Sequence, residues 1–246
     1  MTNYPIIANS LPLGGPFLLM KVLDSFGFRK YDQQPGTPQA FNYKEVKEIL
    51  ALQTAQDLTD NPIPISPFAP CYVNQCLFRQ WLGALLPGQY ISAHIPYTES
   101  FAPLITELNY RHIVIMRDFR AILAELVYGD EIMPRFLKAD IERMSLAERL
   151  HFFLNGGYAS QTDLSIKSFA EIYRSMQAWR DDPSCLVVDF EDLVNKDRQQ
   201  ATLIRMAEYL SVSIENMTSS IAAINSFPLP DNKILEKLDL LIKLWE

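Results

Sequence analysis

The sequence predicts an α/β fold, a central parallel sheet with helices on both faces. Three observations lead there. Short apolar runs rich in Ile and Val alternate with longer segments whose apolar residues recur at helical spacing. The clearest run, Arg111-His112-Ile113-Val114-Ile115-Met116, is β-branched between polar ends, as a buried strand should be. Near the N-terminus, a strand, a Pro/Gly loop and a helix follow one another, an order that sets backbone N–H groups around a phosphate.

Taken in order, Tyr4 to Ser10 reads as a buried strand, stopped by Leu11-Pro12-Leu13-Gly14-Gly15-Pro16. Leu18, Leu19, Val22, Leu23 and Phe26 then mark a helix from Phe17 to Phe26, with Gly27 as its stop. Tyr43 to Leu58 reads as an amphipathic helix, and the proline-rich Asn61 to Pro70 as an extended loop. Strands are expected at Gln89 to Ile95, Arg111 to Met116 and Cys185 to Asp189. Helices are expected at Ser100 to Leu108, Asp118 to Tyr128, Ser145 to Leu154 and Asp163 to Trp179. The C-terminal part reads as helical at Arg198 to Leu210, Ile214 to Ile224 and Asn232 to Trp245. No repeat interrupts this pattern, so residues 1–246 are expected to form one domain.

Composition excludes several function classes. Lys and Arg number 22 against 29 Asp and Glu, a net charge of −7, which argues against a nucleic-acid binder with its basic face. Any polyanionic ligand must then find a local cationic pocket, because the overall field repels it. Hydrophobic residues at 48% and charged ones at 21% exclude a disordered chain. Cys71, Cys76 and Cys185 imply neither a disulfide framework nor a metal site, since no His or Cys pair completes one. The apolar stretch from Phe17 to Leu23 is too short to span a bilayer and is interrupted by Lys21. With no leader-like segment, the chain is expected to be cytoplasmic and to act on a small molecule, with its oligomeric state open.

Ligands of such a sheet bind beyond the C-terminal strand ends. The residues there carry a resemblance. Asn9-Ser10-Leu11-Pro12 followed by Gly15 and a Leu18-Leu19 helix resembles the first donor-binding motif of the sulfotransferase superfamily. His94-Ile95-Pro96-Tyr97 resembles its His-hydrophobe-Pro segment, and Asn109 to Asp118 its 3′-phosphate strand and arginine. Val187 to Leu193 resembles its later aromatic-Glu-Asp-Leu block. The four matches keep the family's order over about residues 5 to 227. The resemblance implies the P-loop-type fold of that family. It also implies transfer of a sulfuryl group from 3′-phosphoadenosine 5′-phosphosulfate (PAPS) to a hydroxyl or amine, with His94 as catalytic base. Pro12, Leu13, Gly14, Gly15, Pro16, Arg117, Glu125 and Phe190 would then surround the donor. Tyr97, Phe17, Tyr72 and Trp81 are candidates for the acceptor pocket.

The departures from the motif carry as much information. The family lysine after Pro12 is Leu13, its following Ser is Gly14 and its Thr is Pro16, which also lacks a backbone donor. The family serine eight residues after the 3′-phosphate arginine is Glu125, an anion where an anion should bind. Pro228-Leu229-Pro230 follows Ser226-Phe227, where an Arg-Lys-Gly phosphate motif is expected. Charged hydrogen bonds contribute about 1.5–3 kcal/mol each, so losing three or more removes roughly 5–9 kcal/mol, about four to six decades of affinity. Arg117 has two readings: it holds an anion, or it pairs with Glu125 and closes the donor site. His94 likewise serves as a base or is merely hydrogen-bonded, whereas His112, His151 and the Glu191-Asp192 pair read as structural. Three functions follow: a small-molecule biosynthetic enzyme without the sulfonucleotide, a sulfotransferase with a non-standard donor site, or a non-catalytic binding protein. No metal is expected.

Overall fold

Five parallel strands make the central sheet of the computed structural model, which describes residues 3–31, 62–69, 71–129, 135–161, 163–213, 217–228 and 233–243. In chain order these strands are β1 (Ile6–Ser10), β2 (Arg29–Lys30), β5 (Gln89–Ala93), β6 (Arg111–Met116) and β9 (Cys185–Asp189). They lie in the order β2-β5-β1-β6-β9. Ile7 pairs with Ile91 on one side and His112 on the other, and Ile113 pairs with Leu186. Two antiparallel hairpins stand apart from the sheet, β3 (Ile63–Pro64) with β4 (Tyr72–Val73) and β7 (Gly157–Ala159) with β8 (Leu164–Ile166).

Alternation along the buried strands gives each face its own core. Ile7, Ile91 and Val114 join one cluster, while Ile6, Ala8, Ile113 and Ile115 join the other. Onto the first face pack α2 (Gln75–Gly83), α3 (Phe101–Glu107), α4 (Phe119–Tyr128), α6 (Leu146–Asn155) and α7 (Phe169–Gln177), numbering α5 (Arg135–Ile141) between α4 and α6. Onto the second pack α1 (Pro16–Ser25), α8 (Phe190–Val194), α9 (Lys196–Tyr209) and α10 (Met217–Asn225). The last helix, α11 (Lys233–Lys243), buries Leu238 in the first core. No helix among the described residues is long and apolar enough to cross a membrane.

Some elements differ from the sequence reading. The helix expected from Asp163 to Trp179 starts only at Phe169, because Ser168 and Glu171 form a reciprocal capping box there. Residues 164–166 pair as β8 instead, and Trp179 lies in a 3₁₀ turn, Ala178–Asp181. The proline-rich loop contains a β-bridge pair, Ile63 and Pro64, against Val73 and Tyr72. Helix α2 escaped the pattern reading, although Asn74 caps it by accepting from the N–H groups of Cys76 and Leu77. The expected helix from Tyr43 to Leu58 lies outside the described residues, as do Leu229 and Pro230.

Candidate functional site

The C-terminal ends of β1, β5, β6 and β9 bring the predicted site residues together. Beyond β1 the chain turns tightly: the Gly14 N–H donates to the Leu11 carbonyl at 2.9 Å, with Pro12 and Leu13 at the corner. Leu13 sits at φ 66°, a left-handed conformation that costs a branched side chain about 1–2 kcal/mol. Gly15 follows at φ 100° and precedes α1, whose first residue is Pro16. A Cβ on Gly15 would lie 2.6 Å from Cδ2 of Phe190, so the glycine is required by both conformation and contact. Gly15→Ala is expected to destabilise the fold by roughly 1–3 kcal/mol in chemical denaturation. Gly27→Ala, with open space around its Cβ, serves as the control for the left-handed conformation alone.

Arg117 leaves the end of β6 and turns inward, 7% exposed. Its Nη1 lies 2.8 Å from Oε1 of Glu125, on α4, and donates to the Leu13 carbonyl at 2.9 Å. Its guanidinium carbon stands 5.0 Å from the centre of the Phe190 ring. Glu125 is equally buried, 7% exposed. The Tyr173 hydroxyl donates to the Arg117 carbonyl at 3.3 Å. The crevice left between Leu11, Gly14, Met116, Arg117 and Tyr173 measures about 10 Å³. That is room for about one water, against roughly 300–1,000 Å³ for a small-molecule site.

The neighbouring arginines are paired too. Arg120 pairs with Asp239 of α11, Arg180 with Asp189, and Arg198 with Asp192 at 2.6 Å. Glu191 accepts from the Asp118 N–H at 3.0 Å, and the Asp118 carboxylate caps α4 through the Arg120 N–H at 2.7 Å. The Glu191-Asp192 carboxylates thus hold the ends of neighbouring elements.

His94 follows β5. Its Nδ1 lies 2.8 Å from the Ser10 carbonyl, which can only accept, so Nδ1 carries the proton and Nε2 the lone pair. Nε2 has no hydrogen-bond partner among the described residues. Burial pushes the imidazole below its ordinary value, and the hydrogen bond to Ser10 partly offsets that. His94 is therefore neutral at pH 7. The next residue, Ile95, is gripped on both sides: Asn9 Oδ1 accepts from its N–H and Asn9 Nδ2 donates to its carbonyl, each at 2.8 Å. Trp179 Nε1 donates to the same carbonyl at 3.0 Å.

The acceptor-pocket candidates separate. Tyr97 is half-buried, its ring edge-on to Trp179 with centroids 5.1 Å apart. Phe17 stands 63% exposed at the start of α1, and Tyr72 is 37% exposed on β4. Trp81 is a correction: it is 1% exposed inside the first core beside Phe78, packed because α2 turns that face to the sheet. Sequence reasoning missed Asn9, Trp179 and Tyr173. Only Asn9 carried a signal, as an amide inside an otherwise apolar strand. No cluster of three metal-ligating side chains occurs among the described residues. Burial pushes the Cys185 thiol up to about 12, which leaves it inert.

In comparisons with known proteins, no family model and no curated protein matches this sequence. Its structure is similar to that of a mouse sulfotransferase complexed with PAP, with a TM-score of 0.50 over 91% of this chain. The fold is sulfotransferase-like. Identity to that mouse protein is 14%, and the match covers 65% of its length. Retinol dehydratase in complex with androsterone and PAP is also similar, at a TM-score of 0.46 and 11% identity, over 99% of this chain and 80% of that one.

Proposed function

We propose that this chain is an enzyme that acts on a small molecule with His94 as its acid–base group and does without a sulfonucleotide donor. The observation that supports it is the pairing of buried Arg117 with Glu125 and the Leu13 carbonyl. A 3′-phosphate at Arg117 would compete with the Glu125 carboxylate for the guanidinium, so that two anions shared one buried cation. Leu13, Gly14 and Pro16 offer no side-chain donor to a phosphate. The residues present do not fit PAPS. His94 keeps what acid–base work requires, a neutral imidazole with a defined lone pair on Nε2. Nε2 can accept the proton of a substrate hydroxyl or amine and hand it back as the imidazolium, an effect on the order of 10²–10⁴ in rate.

The test incubates the wild-type protein and His94→Ala with a small-molecule extract, with and without added PAPS, and follows conversion by mass spectrometry. Conversion by wild type without PAPS is expected, and it falls at least about a hundredfold in His94→Ala. Conversion that depends on added PAPS, or that survives His94→Ala unchanged, contradicts the proposal.

A further inference from the structure

We infer that Asn9 is a positioning residue for His94: its carboxamide locks the Ile95 peptide onto β1 and thereby holds the imidazole as the Nδ1–H tautomer against the Ser10 carbonyl. The inference rests on the reading of His94 as the acid–base group, and its test is independent of activity.

Asn9 opposite Ala93 is the last of the β1–β5 pairs, so the backbone from His94 onward has no strand partner to fix it. The Asn9 side chain supplies one. It is fully buried, and its acceptor and donor engage the N–H and carbonyl of Ile95 at 2.8 Å each, satisfying both main-chain groups two residues past the last ladder pair. Only a carboxamide presents a donor and an acceptor side by side; an Asp would lack the donor and a Leu both. Trp179 backs the same carbonyl from the far side at 3.0 Å, and Ile95 itself is 0% exposed.

The register does the rest. Ser10 adjoins Asn9 on β1, and His94 adjoins Ile95 past β5. With Ile95 pinned by the Asn9 side chain, the His94 ring is delivered to the Ser10 main-chain carbonyl at 2.8 Å. In a histidine, the hydrogen bond made by one ring nitrogen determines which nitrogen holds the proton. Asn9 therefore acts on Nε2 without touching it. Released from Ile95, the segment after β5 would rotate away from Ser10, and the ring proton would distribute between both nitrogens.

The experiment is long-range ¹H–¹⁵N spectroscopy of the protein labelled at histidine, of which the chain has three, with His94→Ala to assign the signal. The expected result is an Nδ1–H pattern for His94 in wild type. In Asn9→Ala, the two ring-nitrogen shifts move toward each other while the circular dichroism spectrum is retained. Trp179→Phe, which removes only one of the two donors on the Ile95 carbonyl, is expected to keep the wild-type pattern. An Nε2–H pattern in wild type, or an unchanged pattern in folded Asn9→Ala, overturns the inference. Should Asn9→Ala not fold, Asn9→Ser, too short to reach both Ile95 groups, is read by the same two outcomes. Shifts that move as expected in a protein whose conversion ignores His94 uphold the positioning role and strike only the catalytic reading.

Discussion

Replacing Glu125 with alanine is expected to lower the unfolding free energy by about 3–5 kcal/mol, read as a fall in denaturant midpoint at pH 7. The size follows from the burial of both partners, Arg117 and Glu125 each being 7% exposed. Taking the carboxylate away leaves a guanidinium beside one carbonyl, at Leu13, and one aromatic face, at Phe190. Neither carries a countercharge. Replacing both partners, as in Arg117→Met with Glu125→Leu, removes the ions along with their desolvation penalty and is expected to recover most of the loss. A double-mutant cycle over the four proteins isolates the coupling. If Glu125→Ala costs less than about 1 kcal/mol, the value typical of an exposed pair, the carboxylate is not what holds Arg117 inside.

Acidification is expected to produce the second large effect, through His112. Its ring is fully buried on β6, with centroids 4.5 Å from Trp179 and 5.7 Å from Phe101, both edge-on. Neither ring nitrogen has a hydrogen-bond partner among the described residues. Burial pushes its pKa down from 6.5 to about 3. The unfolded chain therefore takes up a proton near pH 6.5 that the folded chain refuses until about pH 3. Between those values the unfolded state binds more protons, so stability is complete above pH 6.5 and is lost as pH falls, by roughly 1.4 kcal/mol per pH unit and about 5 kcal/mol in all. His94, pushed in the same direction, adds to the same slope. Urea melts of wild type and His112→Phe between pH 7 and pH 4 check this, with a shallower slope expected in the variant. Parallel slopes would mean that His112 reaches a partner or water in solution.

Parallel strands are legible because the middle of each run is apolar whichever face a position serves. Arg111–Met116 and Cys185–Asp189 accordingly match their expected bounds. The false helical start at Asp163 came from extending a periodic pattern past its cap. Ser168 and Glu171 sit three apart and mark the true start, as Ser145 and Glu148 do for α6. At the site, the pairing of Arg117 with Glu125 was one of two readings, since a residue at the end of a strand and one two turns into the next helix can meet across the loop. The grip of Asn9 on Ile95 was not legible. Its partners are main-chain groups 86 residues away, and main-chain groups leave no trace in a residue pattern. Aromatic character makes Trp81 a pocket candidate with core packing as the default, and its helical spacing from Phe78 favours the core in which it lies.

On the proposed function, Glu125 and the Leu13 carbonyl occupy Arg117, the cation that a sulfonucleotide's 3′-phosphate would need. Calorimetric titration of the wild-type protein with adenosine 3′,5′-bisphosphate tests it most directly. No heat of binding is expected up to millimolar nucleotide, where even a weak site worth about 4 kcal/mol would register. A micromolar dissociation constant, about 8 kcal/mol, would require an open cationic pocket at Arg117 and would contradict the account.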